Sequence, residues 1–289
     1  MRRLLFGVEF CQHLIGSAED VAAAARLARE RGWGLSLLTS YVTDGFLERT
    51  RELVAVLAEE GPSPELVVND WGVLRMARRE FPNVALVLGR GLNRQVRDPR
   101  LPDVGPEHLG GDAPPDAWRG GSIGSAGFRA LIRRLGVTRV ATDVPMQGAL
   151  PLGADGLPGQ VHLPWGMVAS GRICMVNAYG KPPSVRLVPP LVCDAPCRRY
   201  TLQLRAPWTR REEADALPVP DGAFIPLTKL LNRRRNELPE PTSDAAPRFW
   251  QKGNTHFYRL EDEALTRALR WAEQEPSIDR IVVEPDLPM

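Results

Sequence analysis

Cysteine is scarce in this chain of 289 residues, occurring only at Cys11, Cys174, Cys193 and Cys197. Lysine is scarcer still, at Lys181, Lys229 and Lys252, so arginine carries nearly all of the positive charge. A GC-rich genome or a heat-adapted host explains that bias more simply than function does. No segment approaches the roughly 20 apolar residues of a membrane-spanning helix. Charges nearly cancel, to +2, so the basic excess usual in nucleic-acid-binding domains is missing. His-Glu-x-x-His, a readable Ser-His-Asp arrangement and the phosphate-loop motif are all absent. The stretch MRRLLFGVEFCQ breaks at Glu9, too early for a signal peptide. These absences point to a soluble, cytoplasmic protein whose thiols stay reduced and available as ligands.

What is present is an ordinary apolar content, 43%, enough for one large α/β domain or two small ones. Short β-rich runs recur at 4–10, 34–39, 65–69, 84–88, 138–143, 161–164, 255–260 and 279–284. Helical patterns separate many of them. SAEDVAAAARLARERG has a cap-type Ser17 and stops at Gly32, and FLERTRELVAVLAEEG repeats the pattern and stops at Gly61. FRALIRRLG and ALTRALRWAEQ are two further helices. Eight strands alternating with helices predict a (β/α)8 TIM-like barrel, incomplete or open, with a flavodoxin-like open sheet as the alternative. Two stretches, 94–127 and 207–247, are read as loop excursions, the second holding Arg233–Arg235.

On a barrel, residues past the strands' carboxyl ends gather on one face. Cys11 follows the first strand; Cys174, Cys193 and Cys197 follow the sixth. Cys193-Asp-Ala-Pro-Cys197 is a C-x₃-C pair in a proline-stiffened loop, followed by Arg198 and Arg199, which would offset the charge of four thiolates. Structural zinc favours two tight pairs, whereas one pair plus two isolated cysteines is closer to a 4Fe–4S site. Spacing alone leaves plain core packing open for Cys11 and Cys174.

The segments CDAPCRRYTL and SGRIC resemble the C-x-x-P-C-R-x-x-Y motif and the preceding Ser-small-Arg-Cys block of the collagenase-like U32 peptidase family. LVVNDWGVLRMA, around Asp70 and Gly72, and VALVLGRGLN, ending at Asn93, fall in the same family's order, as do LIRRLGVTRV and QKGNTHFY. The resemblance implies a single barrel-like domain over 1–289. It also implies a 4Fe–4S cluster on Cys11, Cys174, Cys193 and Cys197, with Zn2+ as the alternative metal. The implied activity is oxygen-independent hydroxylation in ubiquinone biosynthesis, by this chain together with a related subunit of the family. Its ligands would be a quinone precursor and a prephenate-like oxygen donor. Other members hydroxylate tRNA or rRNA bases, and a zinc-stabilised scaffold and a peptidase complete the alternatives. One departure is Val144-Pro145, where the family carries a Glu after strand five; Asp143 is the nearest carboxylate.

Catalytic residues are not legible. Candidates are Asp70, which equally suits the cap of the following helix, His162 as a proton donor from strand six, and Arg172 for a carboxylate. His13 offers a hydrogen bond to a cluster sulfur or a substitute ligand. Asn69, Asn93 and Asn254 are polar candidates at strand ends, and the tryptophans of WGVL, PWG and RFW are assigned to packing.

Overall fold

A computed structural model of the protein describes residues 2–97, 120–145, 148–149, 157–179, 181–204 and 249–288. The 207–247 excursion, with Arg210, Arg211 and Arg233–Arg235, lies outside the described residues, as does most of 94–127. Seven strands run parallel in the order β1 (Arg3–Gly7), β2 (Gly34–Leu38), β3 (Glu65–Val68), β4 (Ala85–Leu88), β5 (Val137–Thr142), β6 (Gly159–Leu163) and β11 (Ile278–Val283). The sheet curls into a half-barrel, an open α/β architecture. No ladder joins edge strands β1 and β11 among the described residues.

One expected barrel strand is elsewhere. The run at 255–260 forms β10 (Thr255–Arg259), inside a four-stranded antiparallel sheet ordered β7 (Trp165–Ser170), β10, β9 (Phe249–Lys252), β8 (Leu202–Leu204). The reason is local. Only Gly253 and Asn254 separate β9 from β10, and Gly253 sits at φ +59. A two-residue turn joins antiparallel neighbours, because a parallel crossover needs a dozen residues or more. This second sheet covers the carboxyl end of the half-barrel. Phe257, Trp165 and Met167 pack on Phe10, just past β1, and Tyr258 Oη donates to Val144 O at 2.7 Å, past β5.

Helices form where capping and periodicity agree. Ser17 and Asp20 make a reciprocal capping box at the start of α1 (Ala18–Glu30), whose Val21, Ala24, Ala25 and Ala28 face the sheet. Helix α2 (Asp44–Glu60) buries Leu53, Val54 and Leu57. Asp70 caps α3 (Trp71–Glu80), accepting from Gly72 N at 2.6 Å and Val73 N at 3.1 Å. Ser125 caps α4 (Ala126–Arg134). Two single-turn helices, α5 (Met175–Ala178) and α6 (Pro183–Arg186), follow β7, and α7 (Asp262–Gln274) precedes β11. No helix among the described residues is long and apolar enough to cross a membrane.

Period-two alternation divides each strand between helices and interior. Leu66, Val68, Leu86 and Leu88 pack toward the helices, while Val67, Val87 and Ala141 form a small apolar layer with Leu38. Polar layers lie on either side of it. At the amino end, Glu65 on β3 takes both guanidinium nitrogens of Arg280 on β11, at 2.8 and 3.0 Å, and pairs with Arg3 on β1 at 3.0 Å. Edge strands are thus tied to the middle of the sheet by side chains, without backbone pairing between them.

At the carboxyl end Arg90, in the turn after β4, is fully buried. It binds Glu9 past β1, Asp143 past β5 at 3.0 Å and Glu284 past β11 at 2.8 Å. Its guanidinium also lies over the Phe10 ring. Arg97 Nε stands 2.9 Å from Asp143 Oδ2, and His162 Nδ1 is 2.9 Å from Glu284 Oε1. Surface ion pairs contribute little, but removing one partner of a buried pair strands a charge out of water. Arg90→Ala is therefore expected to cost about 3–5 kcal/mol, read as a lower denaturant midpoint at unchanged slope.

Burial pushes the Glu65 carboxyl up, but the hydrogen bond from Arg280 and the charges of Arg3 and Arg280 outweigh it, so the pKa falls below its ordinary 4.5. A depressed folded-state pKa gives stability that is complete above 4.5 and is lost as pH falls through the lower folded value. Glu65→Gln should flatten that acid limb. Because Glu65 keeps some solvent contact, its cost at neutral pH should be about 3 kcal/mol, the low end for a broken buried pair, measured by urea unfolding at pH 7 and pH 4.

Candidate functional site: a four-cysteine cavity

All four cysteines line one cavity of about 260 Å³, beside Gln12, His13, Tyr41, Phe46, Arg172, Pro189, Pro190, Leu191 and Asn254. Three separate chain segments deliver them. Cys11 ends the turn that leaves β1 and precedes a 3-10 turn at Gln12–Leu14. Cys174 caps α5, its sulfur accepting from Asn177 N at 3.3 Å. Cys193 and Cys197 flank a bend in which Ala195 takes the left-handed conformation, φ 51 and ψ 51, before the 3-10 turn Pro196–Arg198. A non-glycine residue in that region is uncommon and needs support from its surroundings. Here it turns the short loop so that both cysteines line the same cavity. Gly253 in the β9–β10 turn lies behind Cys197; a Cβ there would stand 3.6 Å from its Sγ.

Burial pushes the Cys11 thiol up to about 11, and the charges of Cys197, Cys174 and Cys193 push the same way. The Cys174 and Cys197 thiols are raised too, first by burial and then by neighbouring sulfurs. Thus the four sulfurs feel one another across the cavity. Burial and mutual repulsion both favour the protonated thiols, and a cation would be needed to hold the four together as thiolates. Around one zinc ion with bonds of about 2.3 Å, tetrahedral sulfurs stand about 3.8 Å apart. Among the described residues, the only three ligand-type side chains whose donor atoms all lie within 4.8 Å of one another are Glu9, His162 and Glu284. No three of the four thiols form such a group.

The polar candidates separate into two groups. His13, Arg172 and Asn254 join the cysteines at the cavity. His13 packs edge-on against Phe46, and Asn254 Nδ2 donates to Phe10 O and Gly171 O, both at 2.6 Å. Tyr41, which the sequence did not single out, hydrogen-bonds Ser170 and Asn254, and burial raises its pKa. Arg198 and Arg199 flank the pair but are exposed.

The second group lies elsewhere. Asp70 caps α3, Asn69 braces Thr39 O and Gly91 N at 2.8 Å each, and Asn93 donates to Ala141 O. His162 is buried in the half-barrel, beside Glu284 and Gln160. Of the tryptophans, Trp165 and Trp250 do stack edge-to-face, whereas Trp71, in a T-shaped pair with Phe128, is 43% exposed. Its position at the first residue of α3, outside the buried stripe of Val73, Leu74, Met76 and Ala77, is the reason.

Nothing in the sequence singled out Arg90 or its partners Glu9 and Glu284, and Asp143 stood out only as the carboxylate nearest the missing Glu. Their one signal is alternation: Arg139-x-Ala141-x-Asp143, Gln160-x-His162 and Arg280-x-Val282-x-Glu284. Comparison of the chain with family models, with curated proteins and with solved structures finds no match.

With no metal bound, a thiol raised to about 11 is ionised at pH 8 to roughly one part in a thousand. Alkylation of Cys11 by iodoacetamide should therefore be slow at pH 8 and rise about tenfold per pH unit until near 11. Peptide mass spectrometry over a pH series reads this directly.

Proposed function

We propose that this chain is an iron–sulfur protein of the collagenase-like U32 peptidase family, holding a 4Fe–4S cluster on Cys11, Cys174, Cys193 and Cys197. Its role would be oxygen-independent hydroxylation in ubiquinone biosynthesis alongside a related subunit, as in the family member UbiV that the sequence resembles. The observation that carries this reading is the meeting of all four cysteines of the chain on one cavity. One C-x₃-C pair joined by two isolated cysteines supports a multi-iron centre over a structural zinc. When bound, the cluster would supply one-electron chemistry in a pocket whose burial and hydrogen bonds tune its potential.

The chain's own residues would bind and orient. Arg172 offers a guanidinium for a carboxylate of a prephenate-like donor, and Asn254 and Tyr41 offer amide and hydroxyl groups. Phe46, Leu14, Pro189, Pro190 and Leu191 give the cavity an apolar wall suited to a quinone precursor. Beyond the rim, Leu191 and Val192 are 94% and 84% exposed, and Tyr179, Leu187 and Val188 are exposed as well. So large an unburied apolar set supports a partner surface beside the site. Ile281 and Val283, exposed on β11, support a second one.

The exposed cations in the segment that carries three of the cysteines, Lys181, Arg186, Arg198 and Arg199, also favour a second reading, in which the substrate is an RNA base. Steep loss of RNA retention between low and moderate salt would select it. Purification without air decides the cluster itself. The expected product is brown, absorbs broadly near 400 nm and contains about four irons and four sulfides per chain. Cys197→Ser should lose most of that iron. Colourless protein with one zinc per chain would overturn the proposal in favour of a zinc-stabilised scaffold.

A further inference from the structure

The geometry points to a second metal site, a divalent first-row ion held by Glu9, His162 and Glu284 inside the half-barrel. The three donor atoms lie within 4.8 Å of one another. One imidazole nitrogen and two carboxylate oxygens form a donor set suited to Mn2+, Fe2+ or Zn2+. Ligand bonds of about 2.0–2.2 Å set tetrahedral donors about 3.4 Å apart, so binding would draw the three groups together by up to about 1.4 Å.

Independent support comes from oxygens left without partners. Glu9 is 2% exposed, yet its Oε1 has no hydrogen bond, and neither does Oε2 of Glu284. Arg90 explains how those atoms are presented. It grips Oε2 of Glu9 and Oε1 of Glu284, which fixes both carboxylates and leaves the opposite oxygen of each free. Carboxylates held by hydrogen bonds in this way are typical of oriented metal ligands. Buried lone pairs with no donor are costly, and a cation satisfies them.

The charge count agrees in sign. Glu9, Asp143 and Glu284 face Arg90 and Arg97, and His162 Nδ1 lies 2.9 Å from Glu284 Oε1; with a neutral imidazole the carboxylates exceed the guanidiniums by one. Gln160, which approaches His162 at 3.3 Å, adds no charge. A cation there has a structural task. Glu9 follows β1 and Glu284 follows β11, the two edges that share no ladder, while His162 stands on β6. The ion would join both edges of the half-barrel to its interior. With His162 1% exposed there is no room for substrate, and no catalytic step is assigned to it.

The test uses the full chain, stripped with EDTA and titrated with Mn2+ under anoxic conditions, with free Mn2+ read by electron paramagnetic resonance. Manganese is the probe because it prefers oxygen and imidazole to thiolate, which separates this site from the cysteine cavity. About one Mn2+ per chain should bind, raising Tm. Binding should persist in a Cys193→Ser/Cys197→Ser variant and weaken by roughly tenfold or more in Glu284→Gln and His162→Ala. Should those two variants fail to fold, uptake and Tm shift in the unmodified chain against the cysteine variant still decide. No uptake and no Tm shift would overturn the site, leaving a water or a proton as occupant. Uptake lost with the cysteines, or unaffected by Glu284→Gln and His162→Ala, would overturn it equally. The outcome is independent of whether the cysteines carry a cluster.

Discussion

A guanidinium with no access to water must be matched on every side, and Arg90 organises the carboxyl end of this protein around that demand. Its partners come from the ends of β1, β5 and β11. Those strands are first, fifth and last in the sheet, so the contacts can be made together only if the sheet curls. Desolvation alone would pull the Arg90 pKa down; Glu284, Glu9 and Asp143 reverse that and hold it well above its ordinary value. The charge is therefore fixed, and so is the geometry that compensates it. The Glu65 layer repeats the device at the other end, with carboxylate and guanidinium roles exchanged.

This constraint also explains what could be read from the sequence and what could not. Seven of the barrel strands stood where apolar runs and helix caps placed them, because local propensity and the tertiary pattern agree there. The 255–260 run was equally strand-like, but its partner depends on the neighbouring Gly253-Asn254 turn, and β9 before it was not recognised. Strands β7 and β8 were missed for a related reason. Trp165–Ser170 carries no clean alternation, and Leu202–Leu204 is too short to show any. The polar interior was hidden by an ordinary rule. Alternating polar residues along a strand read as a solvent face, yet Gln160 and His162 are buried inside, and Arg139 and Arg280 are only partly exposed at its amino end.

Of the cavity, the cysteines were legible because the residue type is rare and the placement relative to strands one and six put them on one face. Which polar groups accompany them was only half legible. Arg172, His13 and Asn254 do lie there, while Asp70 is held at a helix start by two backbone donors. Tyr41 carried no signal, since its role arises from the return of β7 and the β9–β10 turn toward the end of β2.

The two polar centres are linked through one short segment, and that link bears on how the cavity is held. Glu9 answers Arg90, Phe10 lies against that guanidinium and against Phe257 of the upper sheet, and Cys11 opens into the cavity. Three consecutive side chains thus face the half-barrel interior, the sheet-to-sheet contact and the thiol site. Asn254 fastens the same segment by its hydrogen bond to Phe10 O, from the turn that backs Cys197. A shift at Arg90 would be felt at Cys11 through a segment with little freedom to absorb it, since close-packed interiors transmit displacement. The buried ion network is therefore the foundation on which the first sulfur is positioned, and the upper sheet supplies the frame for the remaining three.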